Sequence, residues 1–450
     1  MNFNTLPFLL VFLPACLVIF YTVPVRFRLH VLFGFSLLFY GVSGLLPLAL
    51  LTTAIVWSFL LAFFVRRHNR SLALVFAVSF PLVALFVSKY LGFSLATVGV
   101  DYSGTRVADI LIRLALPAGI SFYTFQIVAY LVDVRDGVLD PDPSLVRYGT
   151  FISFFPQLIA GPILRYEQIK PQLERVASQR VLAPNIALGI KFLSFGLCYK
   201  IFFADVLFAM QEQYSNEPGA NFADGAFSVL SYSLIIYFDF WSYSLMAIGI
   251  AKLFSIDLPR NFREPYVSLS PREFWRRWHV TLSYWLRDYV YLRMRGNESY
   301  VRNILIVFLL CGLWHGAGWN FIVWGAYHAL FVIAYHLVRR WWDRWPSVAQ
   351  IAITFVVISM GWPLFYLDID GYLTLYGKIF SLAPGDGTEY GWFNWGYLTL
   401  VLGWVFFVRE DKILFNDNQW LVDSPVLHGV MVSAAIAFFS FGRTFIYFQF

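Results

Sequence analysis

Long apolar runs, set apart by short charged clusters, recur along the whole chain in the pattern of successive membrane-crossing helices. Residues 9–23 form the first run. No basic residue precedes it and nothing like a small-residue cleavage site follows Val23, so it reads as a retained span rather than a cleaved leader. Residues 31–65 are long enough to cross twice, with a break near Gly44 and Pro47. Residues 72–93, 114–134, 192–210 and 227–250 follow, with 211–224 as a loop that carries no basic residue. The run 304–334 starts after Arg302 and ends before Arg339 and Arg340, so it is expected to go in and come back. Residues 349–367, 396–408 and 426–440 read as further spans without recognisable chemistry. Phe154-Phe155-Pro156 and Gly161-Pro162 interrupt an apolar run too short to cross twice. That predicts a re-entrant loop, which is tolerated at membrane depth only where it is buried or lines a cavity.

Composition agrees with the pattern. The 450 residues are 59% hydrophobic, 20% aromatic and 13% charged, with a mean hydropathy of +0.65. No soluble domain of this length could bury that much apolar surface. The expected fold is an all-α polytopic membrane protein: one membrane-embedded domain over residues 1–450, with roughly eleven or twelve membrane segments plus re-entrant and amphipathic helices. Cys16, Cys198 and Cys311 lie in apolar stretches with no paired spacing, which argues against a disulfide framework and against a metal site.

Basic residues set the orientation, because short loops rich in Lys and Arg stay on the cytoplasmic side. Arg26 and Arg28, the cluster Arg66-Arg67-His68-Asn69-Arg70, and Arg165, Lys170, Arg175, Arg180 and Lys191 mark cytoplasmic segments and leave the N-terminus outside. Residues 259–295 hold eight arginines against Glu264, Glu273 and Asp288, which accounts for most of the chain's net charge of +6. The positive charge thus sits in one element beside the membrane rather than spread over a nucleic-acid-binding surface. Membrane lipid is the expected environment and no nucleic-acid partner is expected.

Two histidines stand out. His315, in Trp314-His315-Gly316, lies in the middle of an apolar run, where ionisable groups are costly and normally face a cavity or a partner. Helical spacing within 271–286 places Trp275, His279, Leu282 and Leu286 on one apolar face with Arg276 and Arg277 beside it, as in an amphipathic or re-entrant helix. A neutral imidazole can act as a general base and arginines can hold phosphates. The pair therefore suits a reaction on a phosphate-bearing or thioester donor delivered from the cytoplasm. Asp239, inside an apolar segment, is either a functional carboxylate or the structural partner of an arginine in 259–295. Cys311, one helical turn before His315, reads as packing, and His336, near Arg339 and Arg340, as interfacial.

The residues also carry a resemblance. Pro259-Arg260-Asn261-Phe262, Pro265-Tyr266, Glu273-Phe274-Trp275-Arg276-Arg277-Trp278-His279, Arg287-Asp288-Tyr289, Gly312-Leu313-Trp314-His315-Gly316-Ala317, Trp319-Asn320-Phe321 and Trp324-Gly325 follow one another in the order seen in the membrane-bound O-acyltransferase family. Upstream, Leu116-Pro117-Ala118-Gly119-Ile120-Ser121-Phe122-Tyr123-Thr124-Phe125-Gln126, Phe155-Pro156-Gln157-Leu158-Ile159-Ala160-Gly161-Pro162 and Tyr237-Phe238-Asp239-Phe240 continue it. Together these motifs cover about residues 116–330, and the subgroup they resemble most is the bacterial alginate O-acetylases. Relatives continue from Phe-Asp-Phe into Ser-Gly-Tyr-Ser-Asp-Met-Ala, whereas this chain has Trp241-Ser242-Tyr243-Ser244-Leu245-Met246-Ala247.

The resemblance implies acyl transfer at a central tunnel through the membrane, with His315 essential and His279 a second polar group on its cytoplasmic side. It also implies that the thioester arrives inside and the acyl group leaves outside. Acyl transfer to a hydroxyl needs a base and a donor for the oxyanion. His315 is the candidate base, and His279, Asn320 or a backbone amide the candidate donor; a transient acyl-imidazole on His315 needs the same neutral ring. Trp314, Trp278, Arg276, Arg277, Asp239 and His328 complete the candidate tunnel and substrate residues. His328 stands at a family position, although Ala329 follows it where glycine is usual. No bound cofactor is expected.

The implied function is transfer of an acetyl group from acetyl-CoA, or another acyl thioester, toward an exported polysaccharide through a periplasmic acetyltransferase partner. The implied location is the bacterial cytoplasmic (inner) membrane, crossed many times. Two alternatives stay open: D-alanyl transfer from a carrier protein to teichoic acid, and a non-enzymatic channel or transporter whose histidines line a permeation path.

Overall fold

The computed structural model describes residues 2–68, 71–105, 108, 116–178, 183–213, 221–381, 390–415, 423–438 and 445. Among these residues the regular structure is helical, with no strand. Contacts between Cα atoms divide the chain into two compact units, one built mainly from Met1–Leu193 with Tyr243–Pro259 and the other from Ser194–Ser242 with Arg260–Ile446.

The first unit contains α1 (Phe8–Thr22), α2 (Arg28–Gly41), α3 (Leu45–His68), α4 (Ser71–Thr97), α5 (Ile120–Arg135), α6 (Leu145–Ser153) and α7 (Tyr166–Ser178). The run 31–65 does break where expected, and Gly44 takes a φ of +121° that only glycine adopts readily. Of the expected span 114–134, residues 114 and 115 lie outside the described residues and the helix starts only at Ile120. After α6 the chain is irregular through residue 165, yet Phe154, Phe155, Leu158 and Ala160 are completely buried. Buried backbone needs partners. Ser36 Oγ accepts from the Phe155 N–H at 3.2 Å, and Gln157 Nε2 donates to the Phe151 carbonyl at 2.5 Å. Gly119 lets the segment in, because a Cβ there would lie 2.3 Å from the Leu158 carbonyl oxygen. The Phe-Pro and Gly-Pro interruptions thus mark a buried irregular segment rather than a kinked helix.

Helices α8 (Asn185–Glu212) and α9 (Phe222–Leu253) contribute most of their length to the second unit. It continues with α10 (Pro271–Arg277), α11 (Val280–Leu286), α12 (Tyr300–His315), α13 (Trp319–Trp342), α14 (Ser347–Phe365), α15 (Ile369–Ser381), α16 (Trp392–Phe407), α17 (Glu410–Phe415) and α18 (Pro425–Ala437). Six helices among the described residues, α3, α4, α8, α9, α13 and α14, are long and apolar enough to cross a bilayer. The chain is a multi-pass membrane protein. Shorter apolar helices accompany them, α1, α16 and α18 among the described residues, and α12 has 16 residues, about 24 Å at 1.5 Å per residue.

Asp239, on the fully buried stretch of α9, pairs with Lys200 rather than with an arginine of 259–295. Lys200 Nζ lies 2.7 Å from both Asp239 Oδ1 and Asp205 Oδ1. A π-helical turn over Tyr199–Asp205 is the cause. Its i→i+5 bonding brings Lys200 and Asp205 onto neighbouring faces, which an ordinary helix would hold apart.

Candidate active site

The segment expected as one amphipathic helix is two. Ser270 Oγ accepts from the Glu273 N–H, Pro271 fills the first helical position, and Glu273 reaches back to the Leu269 N–H at 2.8 Å, so α10 begins with a strong cap. It stops at Arg277. Trp278 is extended and His279 is left-handed, with φ +42° and ψ +54°, a costly conformation for a residue with a Cβ. The break comes from outside the helix. Arg263 N–H donates to the Arg277 carbonyl at 3.0 Å, Val280 N–H donates to the Asn261 carbonyl at 2.9 Å, and Thr281 Oγ1 donates to Asn261 Oδ1 at 2.6 Å. The strip 261–263 thereby takes backbone groups that a continuous helix would have bonded to itself. Trp275, Leu282 and Leu286 therefore share no single helical face with His279, which sits at the joint.

Residues 304–334 do form a hairpin, α12 and α13, turning at 316–318. Gly312 and Gly325 make its close contact possible. A Cβ at Gly312 would lie 2.2 Å from the Phe321 carbonyl oxygen, and one at Gly325 2.3 Å from that of Phe308. His315 is the last residue of α12, so its side chain is fixed by the helix and by the turn after it.

The hairpin and the joint place the three candidate histidines in one row with tryptophans between them. His279 lies edge-on to Phe240 at 4.7 Å and 5.6 Å from the Trp314 ring. Trp314 lies 4.9 Å from His315, His315 lies 5.1 Å from Trp324, and Trp324 lies 4.8 Å from His328. Trp275 ends the row, 4.9 Å from His328. His279, His315 and His328 are exposed by 2%, 3% and 0%, so all three rings are buried. Burial pushes the His279 imidazolium down to about 3, leaving that ring neutral at physiological pH.

Trp275 also lines a cavity of about 920 Å³. Its polar side carries Arg263, Arg272, Arg276, Arg277 and Arg287 with Glu264, Glu273 and Asp411, and its apolar side is made of residues such as Phe308, Cys311 and Val332. Arg277 is tied to Glu273 at 2.5 Å and Arg287 to Asp288 at 2.6 Å, whereas Arg263, Arg272 and Arg276 make no ion pair among the described residues. These arginines suit a phosphate-bearing ligand.

The remaining candidates separate. Asn320 Nδ2 donates to the Leu364 carbonyl at 2.8 Å and so ties the start of α13 to the end of α14. Trp278 is 1% exposed and packs on Phe262, Phe274 and Trp362. His336 stacks on Tyr300 at 4.1 Å.

The stretch read as free of chemistry supplies Arg409, Glu410 and Asp411. The buried Glu410 carboxylate accepts from Tyr237 Oη at 2.8 Å, Trp241 Nε1 at 3.1 Å and Trp404 Nε1 at 3.0 Å. Burial raises its carboxyl above the usual range, and these donors pull it back. Asp411 pairs with Arg260 at 3.0 Å and its N–H donates to Glu264 Oε1, binding α17 to the arginine-rich segment. Trp241, the departure from the family pattern, has its partner here. Glu410 follows a long apolar run with no local motif and lies 173 residues from Tyr237, so only the fold reveals the pairing.

A buried histidine row beside an arginine-lined cavity, on a multi-pass helical scaffold, has the parts of a membrane enzyme. The profile of the membrane-bound O-acyltransferase family matches residues 135–362. The chain belongs to that family and is an O-acyltransferase. It is 32% identical over 402 residues to a probable alginate O-acetylase of Azotobacter vinelandii, covering 86% of this chain and 79% of that one. It is 34% identical over 367 residues to the peptidoglycan O-acetyltransferase of Helicobacter pylori (73% and 69%) and 31% identical over 270 residues to the teichoic acid D-alanyltransferase of Bacillus subtilis (55% and 68%).

Proposed function

We propose that this protein transfers an acetyl group from a cytoplasmic thioester, acetyl-CoA or an acyl carrier, for O-acetylation of an exported polysaccharide through a periplasmic acetyltransferase partner in the bacterial inner membrane. The donor enters the arginine-lined cavity. His315 takes the acceptor hydroxyl proton as the oxygen attacks the acyl carbon; the C–O bond forms, the C–S bond breaks, and the proton passes to the departing thiolate. His279, which packs against the same Trp314 ring as His315, is the second polar group there and the donor assigned to the oxyanion. The observation that carries this reading is the position of His315. It is buried at the turn of a helix hairpin and touches Trp324, which touches Trp275, a wall of the cavity.

Cells lacking the gene, complemented with wild type or His315→Ala at matched membrane levels, provide the test. Ester-linked acetate on envelope polymers is expected to return with wild type alone. Return of ester-linked D-alanine instead would move the reading to teichoic acid, in line with the Bacillus relative. Ester levels indifferent to His315 would overturn acyl transfer at this site.

A further inference from the structure

Behind the cavity wall, three polar groups in mutual contact have no hydrogen-bond partner within the protein. His328 is fully buried with both ring nitrogens unbonded, and the indole N–H groups of Trp275 and Trp324 are buried without an acceptor. Besides touching His328, the two indoles lie 5.5 Å apart. Leaving one buried donor or acceptor unbonded is unfavourable and uncommon in native proteins. Three together, beside a cavity that Trp275 itself lines, mark a place made for a polar guest. Gly361 packs its backbone directly on the ring, where a Cβ would stand 2.7 Å from His328 Nε2.

We propose that Trp275, Trp324 and His328 form a subsite for the amide nearest the sulfur of a pantetheine-bearing thioester. The proposal rests on the donor reading above and deepens it. Between the phosphate and the acyl group, a pantetheine arm carries amides that need partners once they leave water. The amide beside the sulfur is two carbons away, so its carbonyl lies about 5 Å from the thioester by ordinary bond lengths. The unbonded groups lie next to His315: Trp324 packs edge-on against His315, and both His328 and Trp275 pack against Trp324. With the acyl carbon at His315, the amide next to the sulfur is the one that falls nearest these groups. The indole N–H groups donate to its carbonyl and the bare nitrogen of His328 accepts from its N–H. Arg272 and Arg276, on the same cavity as Trp275, are left for the phosphate.

The test uses the full chain in lipid nanodiscs and two unreactive probes, the S-ethyl thioether of 4′-phosphopantetheine and its analogue with the sulfur-side amide replaced by two methylenes. Wild type is expected to bind the amide-bearing probe about tenfold more tightly, the worth of a buried hydrogen bond or two. Trp275→Phe and His328→Phe, each keeping a ring in place and the thermal transition of wild type, are expected to erase that preference by weakening the amide-bearing probe alone. Equal affinity of wild type for both probes would overturn the subsite, as would variants that weaken both probes by the same factor. Failure of wild type to bind either probe would instead overturn the donor reading itself.

Discussion

Two sets of buried polar groups in the same compact unit are treated in opposite ways. Around Lys200 every charge has an answer: Asp205 and Asp239 each lie 2.7 Å from the ammonium, and the Glu410 carboxylate of α17 accepts from Tyr237 and Trp241 of α9 and from Trp404 of α16. Around His328 the polar groups lie just as deep but have no answer. A saturated cluster has nothing left to offer a ligand and serves to fix the scaffold, whereas an unsaturated one keeps its bonding capacity for something that arrives. The same family fold thus carries its rigidity and its recognition on different residues.

The contrast can be broken most forcefully at His315. His315→Ala is expected to lower acyl transfer by roughly 10²–10⁴-fold, the usual range for a lost general base, with no fall in the thermal transition. Loss of folding along with activity would place His315 among the scaffold residues. Lys200→Met is expected to do the reverse. It strands two buried carboxylates, which costs about 3–5 kcal/mol of stability, and Asp239→Asn in the same chain should recover part of the loss. An unchanged unfolding midpoint for Lys200→Met would show that the triad is not structural.

Trp241→Phe gives a smaller effect. It removes one of the donors to Glu410 and leaves the Tyr237 and Trp404 bonds, so a loss of about 1 kcal/mol is expected in a denaturation series. A loss several times larger would mean that Trp241 does more than satisfy Glu410.

How much of this was legible in the sequence depended on where the cause of each feature lies. The hairpin carrying His315 was readable because basic residues stand at both ends of the apolar run 304–334, Arg302 before it and Arg339 and Arg340 after it. The position of His279 was readable from its motif but its setting was not, since α10 ends through bonds to Asn261 and Arg263, which no helical periodicity encodes. Asp239 stands out in the sequence as a carboxylate in an apolar run, yet its partner depends on a π-helical turn in α8 that leaves no simple residue signature. Glu410 was missed because two of its three donors, Tyr237 and Trp241, lie 173 and 169 residues away. Local causes were legible, and bonds between distant segments were not.

The smallest expected effect on stability is the most discriminating. His328→Leu replaces a buried imidazole that makes no hydrogen bond with an apolar side chain of similar volume. If the ring served the scaffold, its loss should resemble that of Lys200 and lower the unfolding midpoint clearly. If it is held unbonded for a ligand, removing it also removes the penalty of burying its nitrogens, so stability should stay within about 0.5 kcal/mol of wild type or rise. Transfer should nevertheless slow, because the arriving group loses its acceptor. Stability and activity moving in opposite directions at this one position would separate recognition from scaffold, and a joint fall would merge them.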